Sequence, residues 1–154
     1  MARESLQDRY APDNRCFGCG PSNEKGLQIK SFPEGDDMVA EFTPGPEHEA
    51  FDNMLCGGII GTLLDCHMNW TAAFHLMEIN TLDGPPCTVT AEYTVKMQQP
   101  TPTGGKLRVI AWVKKASTDR ALVAGHIEAD GVVTARGEGT FVAVKEGHPA
   151  HHRW

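Results

Sequence analysis

Cys56-Gly57-Gly58-Ile59-Ile60-Gly61-Thr62-Leu63-Leu64-Asp65 opens the one stretch of this chain that reads as a long helix. From Gly58 to about Ile79 no proline intervenes, and Ile60, Leu63, Leu64, Met68, Thr71 and Ala72 recur at helical spacing. Asp83-Gly84-Pro85-Pro86 ends the region. Downstream, Val89, Ala91, Tyr93, Val95 and Met97 alternate with Thr88, Thr90, Glu92, Thr94 and Lys96, the period of a half-buried strand. Three more strands are expected at 106–116, 120–129 and 132–145, with Asp130-Gly131 as the sharpest hairpin signal. Gly137 and Gly139 in the last of them predict a bulge or a close backbone approach.

Upstream, residues 26–32 and 38–42 are expected to form a hairpin around Glu34-Gly35-Asp36-Asp37, and 44–53 to be loop. Residues 1–24, broken by Pro12, Gly18, Gly20 and Pro21, read as an N-terminal arm. A single domain over 25–145 and an uncommitted tail over 146–154 complete the division. Two short strands, one helix and four consecutive strands make an α+β domain, an antiparallel sheet of about five to six strands wrapped around one long central helix.

The 154 residues are 40% apolar and 22% charged, near globular averages. A net charge of −6 without any basic run argues against nucleic acid as a partner. The opening residues lack the apolar core of a signal peptide, and no apolar stretch is long enough to span a bilayer, so no membrane role and a cytoplasmic location are expected. In that compartment Cys16, Cys19, Cys56, Cys66 and Cys87 stay reduced.

The chemistry is expected where the helix begins. Gly57 and Gly58 leave backbone N–H groups unshielded at the positive end of the helix dipole, a setting suited to a carbonyl oxygen becoming an oxyanion. Asp65 stands four residues after Gly61, so the two share a stripe and the small glycine leaves room beside the carboxylate. Spacing alone leaves Asp65 equally open to being a solvated helix carboxylate. Eight residues from Gly57 to Asp65 is roughly 12 Å along a helix, too far for both to address one carbonyl within one chain. A two-fold dimer with antiparallel helices brings the glycine end of one helix to Asp65 of the other.

The segment from Cys56 to Asp65 resembles the His-Gly-Gly-x-x-x-x-Leu-x-Asp helix of PaaI-type hotdog thioesterases. Thr90-Ala-Glu-Tyr-Thr-Val-Lys-Met-Gln-Gln-Pro100 looks like that family's Thr-x-x-(aliphatic or aromatic)-x-x-x-x-x-x-Pro strand, and Cys16-Phe17-Gly18-Cys19-Gly20 through Gly26-Leu27 is similar to a subgroup of it. The resemblance covers roughly residues 15–145. It implies a hotdog fold, a homodimer that often pairs into a tetramer, and hydrolysis of acyl-CoA thioesters, with small aromatic or short- to medium-chain acyl groups, without metal or cofactor. Carried over by position, Gly57 is the oxyanion donor, Asp65 the general base or nucleophile, and Thr90 the hydroxyl that places the attacking water. Gly58, Gly61, Asn69, Cys56 and Asn53 are expected around the substrate. Cys56 stands where the family usually has histidine, so an imidazole hydrogen bond is missing.

Other readings compete. Cys16-x-x-Cys19 invites zinc, but a structural site needs four ligands and no second close pair follows, so no metal is expected. Cys66 and His67 diverge by about 100° on a helix and cannot form a dyad. His148, His151 and His152 are expected to be solvated, Trp70 and Phe74 to be core, and Lys114, Lys115 and Arg120 to be phosphate partners by charge alone. A hotdog hydratase usually needs a histidine paired with a carboxylate, and no histidine precedes the helix at the matching place; a silent acyl-CoA-binding protein is the non-enzymatic alternative.

Overall fold

The long helix, α2, spans Gly57–Ile79 in a computed structural model that describes residues 2–154. It is buried on almost every side: Leu63, Leu64, Met68, Trp70, Ala72 and Leu76 have no accessible surface. A helix covered all round must have partners on both flanks. On one flank lies the sheet, where a Cβ added to Gly137 would press to 3.2 Å from the side chains of Leu64 and Met68. On the other lie residues 16–31, where Cys16 meets Cys66, the Trp70 indole meets Cys19, and Ser31 meets His67.

That sheet holds six antiparallel strands in the order β1-β2-β6-β7-β8-β5. The strands are β1 Phe32–Glu34, β2 Asp37–Phe42, β5 Thr88–Met97, β6 Leu107–Ala116, β7 Arg120–Ala129 and β8 Val132–Ala143. The remaining two, β3 Glu49–Phe51 and β4 Met54–Leu55, form a separate small hairpin just before α2. The α+β expectation therefore holds, with six strands against one long helix. Each large aliphatic side chain buried between them contributes about 1.5–3 kcal/mol relative to exposure. No helix is long and apolar enough to cross a membrane among the described residues.

Several local expectations are corrected. Residues 26–31 are not a strand, although Leu27, Ile29 and Ser31 alternate inward. Their backbone N–H groups are taken elsewhere: Leu27 bonds the Phe17 carbonyl at 2.8 Å, Ile29 the Gly18 carbonyl at 3.0 Å, and Ser31 the Gln7 side chain at 2.7 Å. Gln28 at φ 52° breaks the extended run. Residues 2–24 include helix α1, Leu6–Tyr10, whose Leu6 and Gln7 are buried. The 44–53 loop contains a short 3-10 turn, Pro46–His48, as well as β3.

Gly137 and Gly139 permit close approach rather than a bulge. Gly139 faces the side chains of Phe141 and Tyr93, and the nearby register shift lies on the neighbouring strand, between Thr90 and Glu92 of β5. The tail docks as well: Trp154 stacks on Trp70 with ring centroids 4.6 Å apart, its indole N–H donates to the Pro85 carbonyl at 3.2 Å, and Arg153 donates to the Thr88 carbonyl at 3.1 Å.

Candidate active site

Cys56 caps α2 with extended backbone and no side-chain hydrogen bond. The N–H groups of Ile59 and Ile60 both return to the Cys56 carbonyl, at 3.0 and 3.1 Å. The amides of Gly57 and Gly58 precede those bonds and are the helix's exposed positive end, since both glycines are solvent-accessible. Beside them opens a cleft of about 450 Å³, lined by Phe51, Met54, Gly57, Ile60, Met97 and Pro100 among others. Its walls are mostly apolar, and Phe51 and Met97 are 64% and 53% exposed.

Two turns along the helix, Asp65 is half-buried and accepts a 2.6 Å hydrogen bond from the Thr90 hydroxyl. Burial pushes its carboxyl above the ordinary carboxylate range, against the pull of the Thr90 hydrogen bond. Between the two ends sits Gly61, where an added Cβ would lie 3.3 Å from the Tyr93 hydroxyl. Burial, with the nearby Asp65 charge, raises the Tyr93 phenol.

Gly57, Gly61 and Asp65 on the helix are thus matched by Met97, Tyr93 and Thr90 on β5, which runs antiparallel to it. Strict alternation could not put both Thr90 and Tyr93 toward the helix. The register shift between Thr90 and Glu92 changes the phase of the strand and does so. Alternation alone puts Tyr93 on the inner face and Thr90 on the outer one, and nothing in the sequence marks the shift that brings the two together.

The other expected residues are dispersed. Asn69 is buried and donates weakly, at 3.4 Å, to the Thr88 carbonyl, so it faces the base of β5 and not the glycine cleft. Asn53 occupies the exposed β3–β4 turn at φ 65°, with its N–H on Glu49 at 3.1 Å. Cys56 is half-buried at the helix start, near Gly58. Lys114 pairs with Glu138 at 2.8 Å, while Lys115 and Arg120 border a separate cavity of about 240 Å³ at the far end of β6 and β7.

Cys66 and His67 point apart. Cys66 lies 3.8 Å from Cys16, whereas His67 is fully buried between the Ser31 hydroxyl at 2.8 Å and the Met38 carbonyl at 2.9 Å. Among the described residues, Cys16, Cys19 and Cys66 are the one group of three that could hold a metal ion, their sulfurs all within 4.8 Å of one another.

Solved structures share this arrangement of helix and sheet. A thioesterase superfamily protein from Shewanella loihica is 27% identical, with a TM-score of 0.70 over 90% of this chain and 99% of its own. The chain carries the hotdog fold of the thioesterase superfamily. A protein from Bacillus halodurans, crystallised with CoA, is 28% identical with a TM-score of 0.63 over 78% of this chain and 76% of its own. The PaaI protein of Escherichia coli, from its phenylacetic acid degradation operon, matches in fold at 16% identity, TM-score 0.63, over 77% of this chain and 81% of its own. No protein-family profile matches the chain, and no curated protein does.

Proposed function

We propose that this hotdog protein hydrolyses acyl-CoA thioesters in a site shared by two copies of the chain. The observation that carries the reading is Asp65: a half-buried carboxylate held by Thr90 at 2.6 Å, on the same helix stripe as the uncapped Gly57 amide. CoA in the Bacillus halodurans relative supports the ligand class.

Within one chain, Asp65 does not line the cleft at Gly57. The free edge of β5 offers the remedy. Its residues 91–94 are exposed, Tyr93 is 40% accessible, and an unpaired strand edge is a template for another strand. Two copies paired through this edge about a two-fold axis perpendicular to the strand lie antiparallel, so Gly57 of a second copy approaches Asp65.

Asp65 then takes a proton from water as the water oxygen attacks the thioester carbonyl carbon. Gly57 N–H of the second copy stabilises the oxyanion. The C–S bond breaks as the tetrahedral intermediate collapses, and the CoA thiolate, a good leaving group, departs without a strong general acid. The acyl group occupies the apolar cleft between Phe51, Met54 and Met97, whose volume fits small aromatic or short- to medium-chain groups.

Free-thiol release from a panel of aryl-, short- and medium-chain acyl-CoA substrates tests the reading. Asp65→Asn lowers turnover by about 10²–10⁴-fold with the fold intact. Thr90→Ala lowers it by roughly tenfold, the worth of one hydrogen bond of about 1.4 kcal/mol. Binding of acyl-CoA with no thiol released by the native protein would favour a silent binding protein instead.

A further inference from the structure

Cys16, Cys19 and Cys66 have no part in the reaction proposed above, yet they converge from opposite sides of a chain interval. Cys16 and Cys19 flank a tight loop, Cys66 projects from the third turn of α2, and all three sulfurs lie within 4.8 Å of one another. The Cys16–Cys66 separation of 3.8 Å equals the edge of a tetrahedron with metal–sulfur bonds of about 2.3 Å.

The surroundings suit sulfur that carries negative charge. Backbone N–H groups of Gly18 and Cys19 face the Cys16 sulfur, and the Trp70 indole donates to Cys19 at 3.3 Å. Donors aimed at sulfur stabilise thiolate ligands around a metal. Gly18 is required for this closure, because a Cβ there would collide with the Cys66 sulfur, and a Cβ at Gly20 would collide with the backbone of residues 14–16.

We propose that Cys16, Cys19 and Cys66 form a binding site for one thiophilic metal ion of the zinc or cuprous class, whose remaining position is filled by water or an external ligand. Among the described residues no fourth Cys, His, Asp or Glu joins the group. Binding forms three metal–sulfur bonds and releases the thiol protons to solvent, with no change of oxidation state. The ion ties the N-terminal loop to α2 and stabilises the folded chain.

The full chain, reduced and stripped of metal, is titrated anaerobically with Co²⁺ as the spectroscopic stand-in for Zn²⁺, and separately with Cu⁺. The expected result is thiolate-to-metal charge-transfer absorption saturating at about one ion per chain, a higher Tm, and protection of Cys16 from alkylation in the unaltered sequence. Cys19→Ser and the less buried Cys16→Ser abolish the absorption, whereas Cys87→Ser leaves it. Signal with Cu⁺ alone assigns the cuprous member and with Co²⁺ the zinc member. No charge-transfer band with either ion, or a band that survives Cys16→Ser and Cys19→Ser, overturns the proposal.

Discussion

At the scale of single residues, the two titratable neighbours on α2 illustrate how burial assigns roles. Asp65 is only half-buried and has a hydroxyl donor in Thr90, so its charge remains usable. His67, two residues on, is sealed. Its Nδ1 accepts from the Ser31 hydroxyl, its Nε2–H donates to Met38, and Ser31 in turn accepts from Gln7 at 2.9 Å. Desolvation lowers the His67 pKa from 6.5 to about 4, so the folded chain holds a neutral imidazole where the unfolded chain binds a proton. Stability from this group is complete above pH 6.5 and falls as the pH drops toward 4, by about 3 kcal/mol when the loss is complete. Urea unfolding at pH 7 and pH 4.5, in chelator, measures it: the native chain loses more stability than His67→Gln, and equal losses would contradict the assignment. The spacing of Gly57, Gly61 and Asp65 was legible from the sequence, because helix geometry is fixed. The His67 network was not, since its partners are 29 and 36 positions away.

Among the elements, strand β5 decides most. As the last strand of the sheet it keeps one backbone edge unpaired, and its middle residues are exposed although its sequence alternates like a half-buried strand. That contrast is what a second copy would resolve. Tyr93→Asp puts a charge on the proposed contact, and sedimentation is expected to show the mass of one chain in place of two, with thiol release falling in step. An unchanged mass would place the interface elsewhere. The helix and the strands from β5 to β8 were readable because periodicity and turn residues agree there. Residues 26–31 misled because inward alternation reports burial alone, and here the hydrogen-bond partners are a loop and α1 instead of a strand.

For the whole molecule, both ends of the chain close over the helix face that the sheet leaves uncovered. Leu6, Cys19, Leu27 and Ile29 belong to the core, and Trp154 packs against it. Nothing in the composition of residues 146–154 reveals this, since a terminal tryptophan finds its ring partner only in three dimensions. Deleting Arg153 and Trp154 removes the stack on Trp70 and the bonds to Thr88 and Pro85. The expected cost is about 1–3 kcal/mol, visible as a lower Tm by calorimetry, and an unchanged Tm would show the tail to be ornamental.

A carboxylate of one chain working with an amide of another is open to complementation. Asp65→Asn removes the base. Gly57→Pro removes the N–H at the first helical position, where proline is well tolerated and the preceding Cys56 is already extended at ψ 134°. Each variant alone is inactive. Refolded together in equal amounts, half the dimers are mixed, and each mixed dimer carries one site with Asp65 and Gly57 both intact, restoring about a quarter of native thiol release. If each chain held its own complete site, the mixture would stay as inactive as its components.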